Sequence, residues 1–170
     1  MSVYHPIWSA ADDQELATAI GDVILAWNMA EYDQVAMMAA MLNIPFNRAS
    51  QLYHRIPNFR GRTQALYALV GCTEGFDELC PFIAKYSKLS KTRNAIVHGA
   101  FIRSWDGTDT RRVRLDEPSD SQHRSAPTKA NDIRQHAEAV RAVAIAFREA
   151  GNAIPAYKAW LGPHPSGPEN

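Results

Sequence analysis

The stretch Arg93-Asn94-Ala95-Ile96-Val97-His98 brings a fixed cation, an amide and an imidazole together within two helical turns. Those groups can hold a phosphate and move a proton, because guanidinium stays charged with forked donors and imidazole titrates near neutral pH. On a helix, Asn94 and His98 lie ~40° apart around the axis and ~6 Å apart along it, a spacing that predicts the Asn94 amide orienting the imidazole. Arg93 lies ~140° from His98. It reaches the same point only by curling its side chain or by acting from a neighbouring helix or chain. His98 sits in the last turn, where the helix dipole favours imidazolium, while Arg93 and the preceding lysines oppose it.

Lys85, Lys88 and Lys91 precede this stretch at three-residue steps and Arg103 follows it. A phosphate near His98 would therefore meet several cations, and Lys88, Lys91 and Arg103 are the candidate substrate-binding residues. Such a lysine row is more often simply a solvated helix face. The chain as a whole is neutral, with 18 acids against 18 bases, but residues 48–114 carry twelve bases and five acids while residues 1–47 carry six acids and no Lys or Arg. An anion would be sought in that basic middle. Arg103, Arg111, Arg112 and Arg114 with Trp105 have the composition of a nucleic-acid surface, and equally that of a protected hairpin edge.

Other chemistries find no pattern. The sequence lacks a P-loop, a dinucleotide fingerprint, a nucleophile elbow, His-Glu-x-x-His and the Glu-x-x-His pairs of di-iron bundles, so no cofactor and no metal site is expected. Cys72 and Cys80 form neither a zinc pattern nor a disulfide framework, which points to a reducing, cytoplasmic setting. No apolar run approaches the ~18 residues of a membrane span. His5, His123, His136 and His164 are scattered and read as exposed or capping residues. Glu31 interrupts an apolar stripe and so needs a partner; Arg93 is one choice, a structural ion pair elsewhere the more common one. Trp27, Met37, Met38 and Met41 read as core or dimer interface before ligand pocket.

The positioning elements follow from periodicity. Leu16, Ile20, Val23, Trp27, Val35, Met38 and Met41 recur at three- and four-residue steps, predicting one long helix or two in series, stopped by Asn43 and Pro45. A short helix over about 47–55 precedes Pro57. Another runs from an Asn58 cap to Gly71. Leu79, Ile83, Tyr86, Arg93 and Val97 share one face of the helix that carries the candidate site, which Pro81 starts or kinks and Gly99 follows. The period then changes around Asp106-Gly107, predicting a hairpin over about 101–115. Residues 116–128 read as a loop, Ile133 to Phe147 as a last helix closed by Gly151, and 154–170 as a partly mobile tail. The expectation is an all-α domain over 1–153, a four-helix bundle with a small β-hairpin before the last helix.

Arg93-x4-His98 near the end of a bundle helix, with a polar residue after the arginine, resembles the Arg-x4–6-His motif of the HEPN superfamily. Helix order and hairpin placement extend the likeness over roughly 12–151. A second pair, Arg48 and His54, has Ala49 after the arginine and is assigned to chance. The resemblance implies a homodimeric, metal-independent endoribonuclease of toxin or defence type, with RNA as substrate and a cognate antitoxin as a partner of toxin members. Arg93 and His98 would be catalytic and Asn94 the supporting polar residue. The alternative class is a non-catalytic HEPN-like module that binds nucleotide, RNA or a partner protein.

Overall fold

The computed structural model describes residues 4–7, 9, 11–73, 76–114 and 126–153. Five helices dominate it: α1 (Gln14–Leu42), α2 (Phe46–Arg55), α3 (Phe59–Gly71), α4 (Cys80–Val97) and α5 (Ala130–Ala153), with a single 3-10 turn at Asp77–Leu79 ahead of α4. The protein is mainly α, as the periodicity predicts. The strands form an antiparallel sheet in the order β1 (Tyr4–Pro6), β2 (Gly99–Ser104), β3 (Thr110–Arg114), β4 (Ala126–Pro127). Residues 115–125 and 154–170, and with them His123, His164 and most of the expected loop and tail, lie outside the described residues.

Helix boundaries follow their local chemistry. Asp13 caps α1, its carboxylate accepting the Leu16 amide at 3.0 Å, which satisfies a donor that has no partner inside the helix. α1 is one helix, not two in series, and it stops where Asn43 takes φ 52° and the Ile44 amide reaches back to the Ala39 carbonyl at 3.0 Å. Asparagine tolerates that left-handed turn better than most residues. Asn58 caps α3 by accepting the Gly61 amide at 2.7 Å. α5 continues two residues past Gly151, the expected stop.

The chain divides into two compact units, residues 1–27 with 88–140 and residues 28–87 with 141–170. The first holds the sheet, the end of α4 and a core that includes Leu16, Val23, Trp27, Ile96, Phe101, Ile133 and Val140. In the second, Tyr86 meets Phe59 and Phe147 at ring-centroid distances of 5.3 and 6.3 Å. There α1 is buried all round over 33–40, as a helix must be when every face meets protein. Met37 and Met38 are buried within the single chain and supply core, while Leu25, 67% exposed on the same helix, does not.

The hairpin turns on Gly107, whose φ of 72° suits a residue without Cβ. Asp106 locks the turn: its carboxylate accepts the Ser104 hydroxyl and the Thr108 amide and hydroxyl, at 3.1 and 2.8 Å for Thr108, and these bonds hold its pKa down to about 2. Gly99 starts β2 directly after His98. A Cβ there would collide with the Ala95 carbonyl oxygen and stand 2.8 Å from Arg112 Cγ, so the helix-to-strand corner has room only for hydrogen. The expected hairpin is thus present but widened into a four-stranded sheet. β4 occupies residues 126–127, which the sequence reading placed in a loop.

Candidate functional site

At the end of α4, in the first unit, Arg93 lies with its guanidinium carbon 5.4 Å from the centre of the buried Trp27 ring. A cation over an indole face is attracted by the ring quadrupole. Arg93 Nη1 donates to Asn94 Oδ1 at 3.1 Å, while its Nε is buried without a hydrogen-bond partner among the described residues. Trp27 of α1 and Asn94 of α4 together thus hold the arginine by its flat face and one terminal nitrogen.

Asn94 does not orient His98. Its amide oxygen faces Arg93, and no side-chain hydrogen bond joins it to the imidazole. The expected i, i+4 contact fails because α4 ends at Val97. His98 keeps the last helical bond, its amide to the Asn94 carbonyl at 2.9 Å, but the chain leaves for β2 at the next residue and takes the ring off the helical alignment. His98 is exposed, and its imidazole makes no hydrogen bond among the described residues.

The expected substrate-binding cations separate into two kinds. Lys88 and Lys91 are exposed and make no ion pair among the described residues. Arg103 is occupied: it pairs with the Asp13 carboxylate and donates to the Asp12 carbonyl and Thr110 Oγ1, each at 3.3 Å. It ties β2 to the start of α1, with each of its three guanidinium nitrogens already committed to a protein acceptor. Arg111 is likewise paired with Asp109 at 2.7 Å. Trp105 is 73% exposed at the hairpin turn.

Other polar residues find partners that the sequence does not name. Glu31 pairs with Arg62 at 3.4 Å and not with Arg93. Next to it, Tyr53 donates to Gln34 Oε1 at 2.8 Å with Arg62 5.1 Å over its ring. Burial, aided by the Glu31 charge, pushes the phenol well up. Asp33, 1% exposed, accepts both Nε and Nη2 of Arg148 at 3.2 and 3.0 Å; burial still raises its pKa against that pull. His136 is buried, where an exposed or capping residue was expected, and burial followed by the Arg112 charge lowers its pKa. The partners in each of these contacts are too distant in sequence for any local spacing to signal them.

Among the described residues, no group of three His, Cys, Asp or Glu side chains could hold a metal ion, and no helix is long and apolar enough to cross a membrane. No family model, no curated protein and no solved structure matches the chain.

Proposed function

We propose that the protein is a metal-independent endoribonuclease of HEPN type, acting as a homodimer, with Arg93 and His98 as its catalytic pair. The observation that carries this reading is the asymmetry of the two side chains: Arg93 is fixed by Trp27 and Asn94, while the imidazole five residues on is exposed and unengaged. A pre-positioned guanidinium suits charge that builds on phosphate oxygens, and an accessible imidazole suits proton transfer. In this chemistry the RNA 2′-oxygen forms a bond to the adjacent phosphorus and the bond from phosphorus to the 5′-oxygen breaks. The proton leaves the 2′-hydroxyl and a proton is delivered to the 5′-oxygen, giving a 2′,3′-cyclic phosphate and a 5′-hydroxyl. His98 moves the proton and Arg93 holds the phosphate oxygens; Asn94 acts through Arg93. A second chain would bring a second arginine to each histidine. A cognate antitoxin belongs to the toxin form of this reading.

One observation favours a non-catalytic binding module instead. No side chain among the described residues hydrogen-bonds the His98 ring, so none of them sets its tautomer, as general acid–base histidines ordinarily require. Incubation of the purified protein with single-stranded RNA in chelator decides between them. Cyclic-phosphate ends that disappear in His98→Ala and Arg93→Ala support the enzyme. RNA that is bound with steep salt dependence and never cut supports the module. Sedimentation that returns only the 18.9 kDa monomer removes the homodimer.

A further inference from the structure

Within the second unit a groove of about 250 Å³ separates α1 from α2. Its α1 wall is Asn28, Glu31, Tyr32 and Val35, at helical steps of three and four, and its α2 wall is Phe46, Ser50 and His54, at steps of four. The two helices are joined only by residues 43–45, so the groove is graded along its length. Near the connection lie Val35 and Phe46, with the Tyr32 ring 5.1 Å from that of Phe46. Away from it lie the polar side chains. Those polar groups are unused: Asn28, Ser50 and His54 make no side-chain hydrogen bond among the described residues, and His54 has only an edge contact with the Tyr53 ring. Glu31 gives one oxygen, Oε1, to Arg62 at 3.4 Å and keeps its remaining acceptor sites. Unbonded polar groups at one end and aromatic rings at the other, in a space of this size, are the features of a small planar ligand's site.

We propose that this groove binds a guanine base. Guanine presents two adjacent donors, N1–H and the exocyclic N2 amine, which match a carboxylate, and two acceptors, O6 and N7, which match the amide of Asn28, the hydroxyl of Ser50 and an imidazole N–H of His54. Its flat ring suits the Tyr32 and Phe46 end. Adenine turns an N1 acceptor toward Glu31 and is repelled there. The site is independent of the ribonuclease reading, because it concerns residues and a measurement that cleavage does not touch.

Calorimetric titration of the full chain, in the His98→Ala background so that cutting cannot intervene, tests it with guanosine, inosine, adenosine and short single-stranded RNAs with or without one guanine. The expected order is guanosine, then inosine, which lacks the N2 amine, then adenosine, with guanosine at least about tenfold tighter than adenosine. Glu31→Gln should abolish that preference. Asn28→Ala, which removes an exposed side chain with no bond to lose, should weaken guanosine severalfold at an unchanged melting temperature, and it decides the matter if Glu31→Gln unfolds the chain. Tighter binding of the guanine-containing RNA than of guanosine assigns the base to a strand; guanosine binding with the RNA excluded assigns a free nucleoside. Equal affinity for guanosine and adenosine, no binding at millimolar guanosine, or a preference that survives Glu31→Gln in a folded chain overturns the proposal.

Discussion

His98 and His136 belong to the same compact unit yet meet opposite conditions: the first, one residue past α4, is exposed with its ring unbonded, while the second, in the second turn of α5, is buried with Nε2 unpartnered beside the charge of Arg112. A buried ring without a partner is costly to charge, so the fold favours the neutral form of His136, whereas the His98 ring lies in solvent. The cations of the unit repeat the contrast. Lys88 and Lys91 face solvent uncommitted, and Arg103 spends its donors on Asp13, Asp12 and Thr110. The difference teaches that residue type and proximity in sequence do not decide which polar groups the fold engages and which it leaves at the surface.

The largest effect that bears on this contrast is chemical. If RNA cleavage is the activity, His98→Ala should lower it by ~10²–10⁴-fold, the usual worth of a general acid–base group, and leave the melting temperature where it was, since the exposed ring makes no hydrogen bond among the described residues. A fall in melting temperature with cleavage intact would break the comparison. Arg103→Ala should do the reverse. Loss of its charged hydrogen bonds should cost about 1.5–3 kcal/mol in urea denaturation, with no change in the salt slope of RNA binding; a reduced slope would return Arg103 to the substrate-binding set.

The contrast between the two histidines sharpens with pH. The folded state holds His136 below its ordinary value of 6.5, so the unfolded chain takes up the proton first as pH falls. Stability from this residue is therefore complete above about 6.5 and lost below it. Denaturation midpoints at pH 7.5 and 5.5 should differ in that direction, and His136→Phe should remove that part of the difference that His98→Phe leaves in place. The smallest effect concerns Arg134, which pairs with Glu15 at 2.8 Å on the open surface. Arg134→Ala should change stability by at most ~0.2–1 kcal/mol, less at high salt, as exposed pairs do.

What the sequence discloses about this fold is what repeats locally. α1, α4 and α5 carry apolar residues at three- and four-residue steps, Asn58 and Asn43 mark ends by their own side-chain and backbone preferences, and Asp106-Gly107 marks the hairpin. β1 and β4 are three and two residues long, too short to show alternation; they exist because the outer edges of β2 and β3 accept them, as where the Ile7 amide meets the Phe101 carbonyl and the Thr128 amide meets the Thr110 carbonyl, both at 2.9 Å. The candidate site divides the same way. That Arg93, Asn94 and His98 stand together is written in their spacing, but the turn of Asn94 toward Arg93 depends on Trp27, far away on α1. Glu31 announced its need for a partner by its place on an apolar stripe, and only the folded chain brings Arg62 to it.

The missing Cβ of Gly99 has a consequence for how this segment can vary. Every single-nucleotide missense change of a glycine codon adds at least one carbon, and each would meet the same Ala95 carbonyl and Arg112 side chain. In a saturation library scored twice, once for the amount of soluble protein and once for RNA cutting, position 99 should be empty in both scores. If RNA cleavage is the activity, its neighbour at 98 should be full in the first, proline aside because it removes the amide bonded to the Asn94 carbonyl, and empty in the second. Two adjacent codons would thereby report separately on survival of the corner and on the proposed chemistry beside it.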